Sequence, residues 1–199
     1  TILQYRTNEG NSSPKEMTNV EWIQFIDTIE TNLVAKTKDN KILSYGLSDS
    51  ISDEKGRLRK FLGDVKGVSS IVGSRAVLNN DGQLVTEYET YTEESGLLQA
   101  FEMWNGIYVE NTMPTYGYAL LTKNHKIKIK VYGESAESAV LSDSDPGKAY
   151  EMAIQAEEWD NVVQLELARA HTGKLYGLHE NGTVSTTVAE NREQLQSVQ

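Results

Sequence analysis

Apolar and polar positions alternate along four stretches of the chain, and each stretch is interrupted near its middle by a short polar turn. The first runs from Asn32 to Gly46 with its turn at Asp39 and Asn40, and the second from Ser74 to Tyr88 with its turn at Asp81 and Gly82. The third runs from Gly117 to Gly133 around Asn124 and His125, and the fourth from Leu175 to Val188 around Asn181 and Gly182. Period-two alternation on both sides of a turn predicts β-hairpins. A tight type I′ turn needs positive φ at both central residues, which Gly, Asn and Asp tolerate best. By that criterion Asn124 and His125 fit least well. Two positions past each turn an aliphatic residue recurs, as Ile42, Leu84, Ile127 and Val184. A strand that turns one face to a core requires this. In the third stretch Ile127, Ile129 and Val131 alternate with Lys126, Lys128 and Lys130, so the lysine face is expected to be wet.

Aligned on Asn40, Gly82, His125 and Gly182, the hairpins recur about 42, 43 and 57 residues apart, which is the length of a propeller blade. A tryptophan stands upstream of three turns, at Trp22, Trp104 and Trp159, with Phe61 in roughly that place in the second repeat. Large aromatics at such intervals point to core packing. In the fourth repeat Trp159, the pair Val162 and Val163, the pair His171 and Thr172, then Leu178 and the run Asn181 to Val184 carry a resemblance. This segment resembles the repeat of the regulator-of-chromosome-condensation family, which runs from a tryptophan through a Val-Val strand and a His-Thr pair to Asp-Gly-Thr-Val. The resemblance implies an all-β, β-propeller-like array. Four copies rather than the family's seven imply either a small closed propeller or an open arc whose edge strands pair with a partner. The nucleotide exchange and nucleosome contact of chromatin-associated members are not expected here, because the array is short and the net charge of −10 is wrong for DNA.

The chain therefore reads as one propeller-like domain over 1–199, with repeats at 18–50, 58–92, 97–133 and 154–190. A helical insertion occupies 134–158, and 191–199 is a polar tail. Within the insertion Asp145 can cap a helix with Pro146 at its first position. Lys148 to Glu158 then reads as a short amphipathic helix with Tyr150 and Ile154 on one face. Residues 14–30 are open between two readings. Ser13 to Glu16 matches a capping box and Trp22, Ile26, Ile29 and Leu33 have helical spacing, whereas Ile23 and Phe25 alternate as in a strand.

Composition narrows the chemistry. With 199 residues the chain is long enough for a substantial core without staples. It has no cysteine, which excludes disulfides, thiolate zinc sites and cysteine nucleophiles. No apolar run approaches the roughly 20 residues that span a bilayer, and no signal peptide is seen at the N-terminus, so a cytoplasmic location is expected, or a virion if the chain is phage-encoded. No nucleic-acid or membrane partner and no cofactor is expected. His125, His171 and His179 have neither the spacing of a zinc site nor a nucleophile motif beside them, so no catalytic or metal residue is assigned. Residues 87–94 interleave Tyr88 and Tyr91 with glutamates, a composition found in interfaces. The expected function is a non-enzymatic interaction or assembly module, acting through a protein partner or self-association and suited to a larger particle such as a phage virion. A carbohydrate-binding propeller lectin is the first alternative and predicts exposure of Trp104, Tyr108 or Tyr116. A hydrolase with an unidentified carboxylate pair is the second. The candidate binding residues are Tyr88, Tyr91, Trp104, Tyr108 and Tyr116.

Overall fold

The computed structural model describes residues 3–5, 15–27, 31–39, 42–46, 67–73, 76–86, 88–107, 115–133, 145–168 and 173–188. The chain forms two compact units, one of residues 1–80 with 85–89 and the other of 81–84 with 90–199. Among the described residues the fold is mostly β-strand, in small antiparallel sheets. Strands β1 (Leu3–Tyr5) and β2 (Lys15–Met17) form a two-stranded ribbon. The remaining strands form meanders. The first is β3 (Val20–Asp27), β4 (Thr31–Thr37) and β5 (Ile42–Gly46), and the second is β6 (Val68–Ile71), β7 (Ala76–Asn79), β8 (Leu84–Thr86) and β9 (Thr90–Tyr91). The third is β10 (Leu97–Ile107), β11 (Thr115–Thr122) and β12 (Ile127–Tyr132), and the fourth is β13 (Val162–Leu167), β14 (Leu175–His179) and β15 (Val184–Thr186). Each meander lies within one sequence repeat.

Over its described residues the ambiguous stretch 14–30 is two strands, Lys15–Met17 and Val20–Asp27, linked by Thr18 and Asn19, with no helix among them. Lys15 and Glu16 pair with Tyr5 and Gln4, and β3 pairs along its length with β4.

All four meanders begin with the same device. Asn19, Gly67, Gly96 and Asn161 immediately precede the first strand and have φ of 64°, 65°, 78° and 56°. The next residue, Val20, Val68, Leu97 or Val162, is a buried aliphatic. The residue after that is a β-bulge, so that Glu21, Ser69, Leu98 and Val163 are skipped in the register. The carbonyl of each left-handed residue then accepts the N–H of the residue that opens the hairpin turn. These bonds come from Lys38 to Asn19 (2.8 Å), Asn80 to Gly67 (2.6 Å), Lys123 to Gly96 (2.9 Å) and Glu180 to Asn161 (2.9 Å). A one-residue slip would turn the buried face of a strand to water, so a bulge pinned at one end by a hydrogen bond fixes the register.

The hairpin turns differ from the expected type I′. Gly82, His125 and Gly182 have φ of 74°, 60° and 82°, whereas Asp81, Asn124 and Asn181 do not lie at positive φ. The N–H groups of His125 and Gly182 donate to the carbonyls of Thr122 and His179 at 3.0 and 2.9 Å, and Thr122 and His179 donate in turn to Lys126 and Thr183 at 2.9 Å each. This is a three-residue loop, a type I turn closed by one left-handed residue. Gly82 and Gly182 suit that position, while His125 places a side chain there at a cost of about 1–2 kcal/mol. Asn40 lies outside the described residues.

In the second unit the core joins Trp104, Leu121 and Ile127 of the third meander to Val162, Leu165 and Leu175 of the fourth. Each fully buried side chain of this size contributes roughly 1.5–3 kcal/mol. Lys126 and Lys128 are exposed and Lys130 is half-buried opposite the buried Ile127 and Ile129, so the alternation of β12 is as its sequence reads. The tryptophans are not a repeated landmark. Trp22 follows the left-handed residue of its repeat by three positions and Trp104 by eight, whereas Trp159 precedes it. Trp104 lies flat on Gly117, where a Cβ would come within 2.4 Å of the indole ring.

Helix α1 (Asp145–Ala153) continues as a 3-10 turn over Ile154–Glu158, so the helical segment starts three residues before Lys148 and tightens in its second half. Its buried face is Ala149, Ala153 and Ala156, with Tyr150 and Ile154 packed beside the same core. Small side chains let the backbone approach closely. A Cβ on Gly173 would stand 2.0 Å from the carbonyl oxygen of Ala149.

Candidate functional site

The repeats are joined through their turns. The Gly82 carbonyl accepts the N–H of Leu97 at 2.8 Å, and the His125 carbonyl accepts the N–H of Val162 at 3.1 Å. Acceptor and donor are the same in both cases: the left-handed residue of one turn, and the buried aliphatic that opens the following meander. Around His125 the joint is broader. Its Nδ1 lies 2.8 Å from a Glu180 carboxylate oxygen, and the Lys126 ammonium pairs with Asp160.

First strands are tied to each other by glutamines. In the first unit the Gln24 side-chain amide donates to the Ile71 carbonyl at 2.6 Å and its oxygen accepts the Ile71 N–H at 2.8 Å. In the second unit the Gln99 side-chain oxygen accepts the Leu165 N–H at 2.8 Å. Ile71 and Leu165 stand at the same place in their repeats, four residues after Gly67 and Asn161.

Gly182, the corresponding turn residue of the fourth meander, is different. It is exposed, and among the described residues nothing lies within 4 Å of where its Cβ would stand, whereas at Gly82 that point is 3.0 Å from the Leu97 nitrogen. The turn at Gly182 is thus built like those at Gly82 and His125 and, among the described residues, is left uncovered.

The acidic tyrosine segment forms a second surface feature. Thr86 shapes the bend between β8 and β9. Its N–H and its hydroxyl both donate to the Glu89 carbonyl at 2.9 Å, and the hydroxyl oxygen accepts the N–H of Tyr88 at 3.2 Å and of Glu89 at 3.0 Å. Tyr88 sits on this bend, 53% exposed. Tyr91 is half-buried. Its hydroxyl donates to the Glu93 carboxylate, and the Lys130 ammonium lies 4.7 Å from the centre of its ring. Burial raises the Tyr91 pKa well above the usual tyrosine value, and the bond to Glu93 and its negative charge push the same way.

Two candidates read from the sequence belong to the core. Trp104 and Tyr116 are each 1% exposed, because Trp104 is sealed against Gly117 and Tyr116 lies in the central strand of its sheet, so neither presents a ring to a ligand. Tyr108, His171 and Thr172 lie outside the described residues. Of the remaining histidines, His125 faces Glu180, and His179 holds the Asp160 carbonyl at 2.6 Å through Nδ1 and the Ser185 hydroxyl at 2.8 Å through Nε2. Among the described residues no three His, Asp or Glu side chains could together hold a metal ion, and no helix is long and apolar enough to cross a membrane.

The residues that join the repeats had a sequence signal. Thr18 to Val20, Lys66 to Val68, Ser95 to Leu97 and Asp160 to Val162 each read polar, then Asn or Gly, then aliphatic. Compared with family models, curated proteins and solved structures, the chain has no match.

Proposed function

We propose that this chain is a non-enzymatic interaction and assembly module, built as a propeller-type array of four diverged blades. The observation that carries this reading is the repeated joint: each joined turn is completed by the meander that follows it, so an array of such repeats ends in surfaces made to receive another. The fourth repeat's resemblance to the regulator-of-chromosome-condensation unit supports the blade assignment. Tyr88, held outward by Thr86 among acidic residues, adds an exposed aromatic of the kind enriched in interfaces. A role within a larger particle, such as a phage virion, fits a module whose surfaces serve assembly.

The carbohydrate-binding alternative loses Trp104 and Tyr116 as platforms, since both are buried. No observation favours the hydrolase reading. Light scattering on the pure protein over a concentration series tests the proposal. A defined assembly larger than the 22.2 kDa chain is expected. A monomer at every concentration that also forms no stoichiometric complex with neighbouring gene products would overturn it.

A further inference from the structure

We infer that the uncovered turn at Gly182 is docked by the first meander of a second copy of this chain, head to tail, in the way that Leu97 docks on Gly82 and Val162 on His125. This deepens the assembly reading and rests on it.

The two halves of the joint can be matched residue by residue. The receiving half is a left-handed turn residue: Gly82 and His125, whose carbonyls accept the N–H of the following meander, and Gly182, which is exposed and has no described atom within 4 Å of its Cβ position. The inserting half is a left-handed Asn or Gly, a buried aliphatic and a bulge. Gly96, Leu97 and Leu98 supply it at the first joint, and Asn161, Val162 and Val163 at the next. Asn19, Val20 and Glu21 form the same half at the start of the first meander, where the described repeats offer no preceding turn for it to join. Among the described residues the chain thus carries a receiver with nothing docked on it, at Gly182, and a matching insert at Asn19, Val20 and Glu21. A contact between two different surfaces of the same chain is heterologous, and it closes into a ring when the rotation per copy allows.

The positions that should meet follow from the joint already made. Lys126 pairs with Asp160 there. Counted from the turns and from the left-handed residues, the equivalents are Thr183 and Thr18, both exposed. Because the chain has no cysteine, one introduced at each position reports on that contact alone. The single variants Thr18→Cys and Thr183→Cys are mixed, treated with a short bismaleimide and run on a denaturing gel, while light scattering follows the untreated protein. The expected result is a cross-linked dimer from this mixture, at least tenfold more abundant than from Thr18→Cys mixed with Thr90→Cys, together with a solution mass that is a multiple of the single chain.

An assembly that shows no cross-link above the Thr90 control would overturn this joint and leave the assembly role standing. A double variant, Thr18→Cys with Thr183→Cys, that cross-links only within one chain would show that the turn is covered by the chain's own first meander and would likewise overturn the second-copy assignment. A monomer with no cross-link and no complex would remove both readings together.

Discussion

The carbonyl of His125 receives the N–H of Val162 at 3.1 Å, so a residue held at φ 60° closes one meander and anchors the next. The carbonyl is what the joint uses, and the side chain is secondary. His125→Gly keeps the carbonyl and releases the left-handed strain, while giving up a partly exposed contact with Glu180 worth about 0–1 kcal/mol. Urea unfolding should place His125→Gly level with the parent or up to about 1 kcal/mol above it, and His125→Val lower by about 1–2 kcal/mol. A valine variant as stable as the parent would contradict the left-handed turn.

Gly117 is expected to reject any side chain. A Cβ there would stand 2.4 Å from the Trp104 ring, which is buried and has nowhere to go. Gly117→Ala should cost about 1–3 kcal/mol through overpacking and shift the tryptophan emission. Gly177→Ala meets Trp159 at 2.8 Å, but that ring is half-buried and has room to yield, so its cost should be smaller. Paired thermal melts would settle the order.

Gln24 is a structural clamp. Gln24→Leu leaves both polar groups of the buried Ile71 backbone without this partner and should cost about 1–3 kcal/mol. Gln24→Glu retains the acceptor for the Ile71 N–H and removes the donor, so it should fall between parent and leucine variant in denaturant midpoint. Equal midpoints for all three would show that the bonds are not maintained in solution.

Tyr91 gives a pH dependence of known sign. Its folded-state pKa is raised above the ordinary tyrosine value of 10, first by burial and then by Glu93, so the fold favours the neutral phenol. That contribution is fully present below pH 10 and is lost as the pH climbs through the tyrosine range toward the higher folded-state value. Urea midpoints measured from pH 8 to 11 should fall more steeply for the parent than for Tyr91→Phe. Spectroscopic titration of the folded protein should show the variant lacking part of the latest-ionising phenol signal.

The hairpins, the turn positions and the wet lysine face of β12 were legible because turn residues and period-two alternation are local signals. Residues 14–30 were not. The bulge at Glu21 inserts one residue between Val20 and Trp22, so the alternation changes phase just after the strand begins and a partial helical spacing remains. The type I′ expectation rested on the Asp-Gly and Asn-Gly pairs, which occur equally well where only the second residue needs positive φ. The tryptophans drew attention as landmarks because they are large, yet they fill different gaps in different repeats. The conserved geometry lies in the small residues Asn19, Gly67, Gly96 and Asn161, whose role depends on a backbone bond to a turn many residues away. Trp104 is buried, as the core reading of the tryptophans expected, whereas nothing in the sequence marked Tyr116 as a core residue.

The helix of the insertion has a consequence for how the second unit is put together. Ala149, Ala153 and Ala156 enter the same core as Ile127, Val162 and Leu175, the Glu157 carboxylate receives the Ile129 N–H at 2.7 Å, and Gly173 runs directly beneath Ala149. The longest gap between two turns is therefore mortar and not slack. The third and fourth meanders share a wall that neither owns, so whatever loosens the helix's alanine face loosens both sheets at once.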